Sequence, residues 1–163
     1  MAACAFCDWQ AGLDAPPGGA IYQDDLVFAR HAYDGGDEPQ YLGALVLQTK
    51  RHATLAELTD DEARAVGSLA ARLSRALTIC TGAEKVYAYS FGEAFDHLHL
   101  FVVARYPGAP GEFVRLRVQE WPGAPRGRAQ DVAVLVEWLR AMIAREADKA
   151  GDVAAGATPA GPI

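Results

Sequence analysis

The stretch Phe95-Asp96-His97-Leu98-His99-Leu100-Phe101-Val102-Val103-Ala104-Arg105 decides how the rest of the chain is read. Its aromatic and β-branched residues favour a strand, and Pro107, Gly108, Pro110 and Gly111 close it. Strand side chains alternate, so His97, His99, Phe101, Val103 and Arg105 share one face. Leu98, Leu100, Val102 and Ala104 form the other, an apolar face for the core. Two imidazoles on one face gain little by packing. The bland explanation is a pair of surface histidines, since short motifs such as His-x-His match often by chance. The chemical one starts from the nucleophilicity of histidine toward phosphorus when one ring nitrogen is free and the other is held by an acceptor. Attack gives a covalent phosphoramidate, and a strand supplies the rigidity such a nucleophile needs.

Working outward, Val86 to Phe91 is another strand, joined to the first through Gly92-Glu93-Ala94. Before it, Thr59-Asp60-Asp61-Glu62 has the capping-box form, and Val66, Leu69, Ala70, Leu73 and Leu77 recur at helical spacing. These predict a helix from about Asp60 to Ile79, ended by Thr81-Gly82. Tyr41 to Gln48 reads as one strand buried on both faces, and Asp34 to Pro39 as a turn. Ile21-Tyr22 and Leu26-Val27-Phe28 read as a small hairpin. Downstream, a second helix from about Ala129 to Ala147 turns Val132, Leu135, Val136, Leu139 and Ile143 to one side. The class is α+β: a mostly antiparallel sheet with one long helix packed on it and an additional C-terminal helix. The expected division is a domain over residues 1–115, a C-terminal extension over 116–150 whose helix packs on the core, and a disordered Gly/Ala/Pro-rich tail over 151–163.

The chain has 163 residues, 51% of them apolar, enough to bury a core without disulfides. Lys and Arg number 15 and Asp and Glu 21, a formal charge of 15 − 21 = −6. That balance disfavours nucleic-acid binding through a broad cationic surface, and leaves room for a small phosphorylated ligand held by a few aimed donors. No apolar run approaches a membrane span, and Met1-Ala2-Ala3-Cys4 has no basic segment leading into an apolar one. Three cysteines, an odd number, argue against a disulfide framework. The expectation is a soluble cytoplasmic protein. Cys4 and Cys7 form a Cys-x-x-Cys pair open to three readings: a redox dithiol, two metal ligands, or coincidence. Cys80 reads as a small buried hydrophobe, and His31 as a surface histidine without a role.

The ordered set Cys4-Ala5-Phe6-Cys7, Ile21-Tyr22-Gln23-Asp24-Asp25, Lys50-Arg51-His52, Leu58-Thr59-Asp60-Asp61-Glu62 and His97 to Arg105 resembles the histidine-triad (HIT) family of nucleotide hydrolases and transferases. The resemblance spans residues 4–107. It implies a HIT-like, mostly antiparallel five-stranded sheet. It also implies a nucleophile at His99, with His97 as the first triad histidine and Phe101 where the third belongs. Arg30 falls where the family has an aspartate gripping ribose hydroxyls, and Gly43-Ala44 replaces Gly-His. Gly92-Glu93 stands for the Gly-Gln that reaches the phosphate, where a carboxylate repels unless protonated or paired. Phe101 cannot donate a hydrogen bond, and losing one such donor costs on the order of 100- to 1,000-fold in rate. Arg105 or a backbone amide is the candidate substitute.

Bacterial members with an N-terminal Cys-x-x-Cys pair it with zinc. The matching ligands are Cys4, Cys7, His52 and His97, a set that suits a tetrahedral structural ion. The implied activity is a nucleotide hydrolase or nucleotidyl transferase with a covalent nucleotidyl-His99 intermediate. Its partner is a small nucleotide or other phosphorylated molecule, and a homodimer is expected by resemblance. The rival is a zinc-stabilised binding or scaffold protein without turnover. A metalloenzyme with an open zinc position ranks last, because one of the four ligands would have to leave the metal. The enzyme reading needs the His99 ring directed into a pocket that accepts a phosphate ester. A ring under packed side chains counts against it.

Overall fold

A computed structural model describes residues 4–13 and 15–155, with side-chain surroundings through residue 146. The N-terminal helix α1 (Ala5–Gln10) leads into β1 (Ala20–Gln23) and β2 (Val27–His31), the expected hairpin. The strand expected over Tyr41 to Gln48 is two strands, β3 (Gln40–Tyr41) and β4 (Ala44–Thr49). Gly43 separates them with a φ of +93°, a conformation glycine adopts without penalty. A side chain there would also crowd Ala104 Cβ at 3.0 Å.

After α2 (Asp60–Thr81) come β5 (Lys85–Tyr89) and β6 (His99–Arg105), then β7 (Arg126–Gly127), which pairs with β3, and α3 (Ala129–Ala155). The main sheet has the order β1-β2-β4-β6-β5, antiparallel at every pairing. Every residue of β4, the middle strand, is buried, as its unbroken apolar character predicts.

The capping box of α2 forms as its sequence indicates. Thr59 Oγ1 accepts from the Glu62 amide, and Glu62 reaches back to the Thr59 amide at 2.8 Å. Arg51 grips the same carboxylate with both ends of its guanidinium, at 2.9 and 2.7 Å, holding it well down from the usual range, to about 2. Gly82 ends the helix in the left-handed conformation. Leu69, Leu73 and Leu77 of α2 join Val132, Val136, Leu139 and Ile143 of α3 over Leu45, Leu47, Val102 and Ala104 of the sheet. Val118 and Ala124 enter the same cluster, so the chain beyond residue 115 shares the core.

The second helix runs past the expected Ala147 to Ala155; of the expected tail, 156–163 lie outside the described residues. Among the described residues, no helix is long and apolar enough to cross a membrane.

Three expectations are corrected. His31 pairs with Leu45 in register and is 0% exposed, because odd-numbered positions of β2 face the helices. Burial, then the Arg30 charge, push its pKa down to about 4, outweighing the opposing effect of a hydrogen bond to the Tyr41 backbone. His97 is not in the strand at all, since β6 begins at His99. Cys80 is half-buried rather than buried.

Candidate active site and metal centre

Cys4 stands at the N-cap of α1 and Cys7 in its first turn, so one helical turn carries both thiols. Cys4 Sγ lies 3.5 Å from His97 Nδ1, and Cys7 Sγ lies 3.5 Å from the same nitrogen and 3.4 Å from His52 Nδ1. The four ligand atoms fall within 4.8 Å of one another. Zinc–sulfur and zinc–nitrogen bonds of about 2.3 and 2.0–2.1 Å at tetrahedral angles put S and N about 3.5 Å apart. The cluster therefore fits zinc.

His97 Nε2 donates to the Thr49 carbonyl at 2.7 Å, which fixes the tautomer and leaves the Nδ1 lone pair toward the sulfurs. Burial, then the neighbouring His52 and His99 rings, lower the His97 pKa and favour the neutral, ligating form. Burial, then the Cys4 thiol, push the Cys7 thiol up, so two thiolates held this close call for a cation between them.

His99 opens β6 and lies directly across from Gln48 of β4. Its Nδ1 donates to the His97 carbonyl at 2.8 Å, leaving Nε2 as the ring nitrogen not used in that bond. The ring does not face an open pocket. It is 8% exposed, with the Phe6 ring stacked on it at 4.1 Å and 16°. Phe6 is wedged edge-on against Trp9 and Phe95, and its carbonyl accepts from Gln48 Nε2 at 2.7 Å. Covering the ring wins because burying an aromatic side chain gains about 1.5–3 kcal/mol, and the hydrogen bond adds about 1 kcal/mol. A cavity of about 340 Å³ beside the β5–β6 connection is lined by His97, Phe95, Phe91 and Leu55, without His99.

The other candidates divide. Phe101 is half-buried beside His99 on the same face, its ring 5.7 Å away edge-on, and it stacks on Tyr89 at 5.6 Å. Arg30 lies opposite Val46, which lies opposite Phe101, so all three share that face. Arg30 is 2% exposed beneath α1, its guanidinium 3.4 Å from the centre of the Trp9 ring and donating to the His31 carbonyl. Arg105 is not brought near His99. Six residues along a strand is roughly 20 Å, and its guanidinium is paired with Glu84 at 2.5 Å. It cannot replace the missing triad donor. Glu93 is exposed in the β5–β6 connection.

No protein-family model matches the chain, and no curated protein does. Solved structures do. A hypothetical histidine triad nucleotide-binding protein of Sulfolobus tokodaii superposes with a TM-score of 0.67 at 18% identity, covering 91% of this chain and 97% of its own. A zinc-bound histidine triad family protein of Mycobacterium smegmatis gives 0.62 at 21%, covering 90% and 97%. The diadenosine triphosphate hydrolase of Plasmodium falciparum gives 0.50 at 10%, covering 80% and 77%. The chain has the histidine-triad fold.

On that HIT fold the expected His97, His99 and Cys4–Cys7–His52 positions converge, whereas Phe6, Trp9 and Gln48 escaped the sequence reading. A signal for the first two was present: aromatic residues three apart on a helix share a face, and that face had to lie on something. Gln48 is the next-to-last residue of β4 and its one side-chain amide, 0% exposed, and its Oε1 has no partner.

Proposed function

We propose that this protein is a HIT-type nucleotide hydrolase or nucleotidyl transferase acting on a phosphate ester, anhydride or phosphoramidate, with His99 as its nucleophile. The observation that carries this is the His99 Nδ1–H bond to the His97 carbonyl, which orients the ring and reserves Nε2 for attack. Nε2 forms a bond to the α-phosphorus as the bond to the leaving group breaks. Water then attacks the phosphorus, the P–N bond breaks, and the neutral ring returns. Zinc held by Cys4, Cys7, His52 and His97 supplies structure, because four protein ligands leave no open position for substrate. The metalloenzyme reading has no vacancy to work with. The three free thiols suit a reducing cytoplasm, and the HIT resemblance supports a homodimer and a small nucleotide as partner.

The zinc-stabilised scaffold without turnover is the second reading. Phe6 over His99, and Phe101 in place of a donor, favour it. Intact-mass measurement after incubation with adenosine phosphoramidate and diadenosine polyphosphates separates the two. A nucleotidyl adduct is expected on the wild type and absent from His99→Ala and His99→Gly. An adduct persisting in those variants contradicts the assignment, and no turnover of any of these nucleotides, by the wild type or by Phe6→Ala with the His99 ring uncovered, supports the scaffold.

A further inference from the structure

Phe6 sits between the two cysteines of the metal cluster, and its ring lies flat on the imidazole read above as the nucleophile. The segment that carries it, α1, is six residues long, too short to hold a helical shape in water by itself. Besides the thiols, it is fastened by Gln48 to the Phe6 carbonyl, Gln10 to the Lys50 carbonyl, Trp9 on Arg30, and the Phe6 ring packed against His99, Phe95 and Val46. The thiols reach the two histidines that flank the sheet, His52 after β4 and His97 before β6. A metal bound there fixes the backbone on both sides of Phe6 at once.

We propose that α1 is a metal-clamped lid: with Cys4, Cys7, His52 and His97 holding zinc, Phe6 stays on the His99 ring, and loss of the thiol ligands lets α1 lift and uncover that ring. The lid rests on the reading of His99 as the nucleophile, and it adds control of access to that group. It also explains how a HIT fold can carry a well-oriented histidine that is almost fully covered. Lifting α1 uncovers Gln48 as well, which lies opposite His99 and donates to the lid itself.

Diethyl pyrocarbonate, which acylates accessible neutral imidazoles, reads the lid directly when modified sites are mapped by mass spectrometry. His31, sealed in the core, reports whether the fold survives. In the full chain loaded with zinc, His99 should react slowly. After chelation its rate should rise by about tenfold or more while His31 stays unreactive, as expected for opening of one segment rather than the whole domain. Phe6→Ala should give fast His99 modification with zinc still bound at full stoichiometry. The proposal is overturned if His99 is equally protected with and without zinc, if it reacts rapidly in the zinc-loaded wild type, or if His31 becomes reactive together with it. None of these readouts requires turnover, so a lid that opens over a histidine forming no nucleotidyl adduct would leave the lid standing and remove the enzyme.

Discussion

Lowering the pH from 6.5 to 4 should destabilise the fold, with a definable share of the loss coming from His31. The ring is fully buried on β2, and its pKa is pushed down to about 4 by burial and by Arg30, which together outweigh a hydrogen bond to the Tyr41 backbone. An unfolded chain takes up the proton near 6.5. Between those values the unfolded state binds a proton that the folded state refuses, so stability falls as pH falls. A gap of about 2.5 pH units at 1.36 kcal/mol each makes the loss about 3 kcal/mol at its fullest, a large share of the stability of a domain this size.

The comparison that isolates it is wild type against His31→Leu, by urea unfolding from pH 7.5 to 4 at matched metal content. Metal loss in acid affects both proteins alike and cancels in the difference. The variant should be about as stable as wild type at pH 7.5, since it exchanges a buried polar ring for an apolar side chain, and should decline less steeply in acid. Parallel curves would refute the argument, and would mean that His31 takes its proton in the folded state.

The purified protein should carry about one zinc per chain, and Cys4→Ser should lower both the zinc content and the melting temperature; substoichiometric zinc with unchanged melting would remove the metal centre. Phe101→His, in a Phe6→Ala background that leaves His99 accessible, should raise hydrolysis of adenosine phosphoramidate by about 100- to 1,000-fold by restoring a donor. It gives up the Tyr89 stack at about 1 kcal/mol, and no gain in a folded variant that still forms the adduct would show that the missing histidine is not what limits the rate. Long-range proton–nitrogen correlation spectra should show His97 protonated on Nε2 and His99 on Nδ1. The reverse pattern in either ring would contradict both assigned roles.

Most of the architecture was legible because it is written in local periodicity. The α2 stripe, its capping box and Gly82, and the apolar run of β4 each dictate one element with little competition. The split at Gly43 was not legible, because a glycine inside an apolar run signals a bend only once β7 is there to receive β3. Alternation failed at His97 for a related reason. Strict two-residue periodicity applies inside a strand, and the Thr49 carbonyl and the thiols hold His97 just before one begins. His31 misled because a lone histidine defaults to the surface, whereas its register against Leu45 fixes it in the core. The metal ligands were recoverable only as an ordered set spread over nearly a hundred residues. The cover on His99 lay out of reach, because nothing in Cys4-Ala5-Phe6-Cys7 says which ring Phe6 meets.

Two backbone carbonyls make different tools of two identical side chains. The Thr49 carbonyl takes the Nε2 proton of His97, so that ring offers Nδ1 to the thiols; the His97 carbonyl takes the Nδ1 proton of His99, so that ring offers Nε2 outward. The two arrangements share a residue. Any shift of the metal cluster that drags His97 moves the acceptor that orients His99, while the Cys4–Cys7 turn places Phe6 over the same ring. Metal occupancy thus acts on the nucleophile by two routes of opposite effect. It holds the ring in the attacking tautomer, and it holds a phenyl group over it. An open and still well-oriented His99 requires the His97–Thr49 bond to outlast the thiol ligands. The geometry favours that order, because His97 is 1% exposed and its Nε2–H bond to the sheet is a short 2.7 Å, whereas Cys7 and His52 stand at the rim.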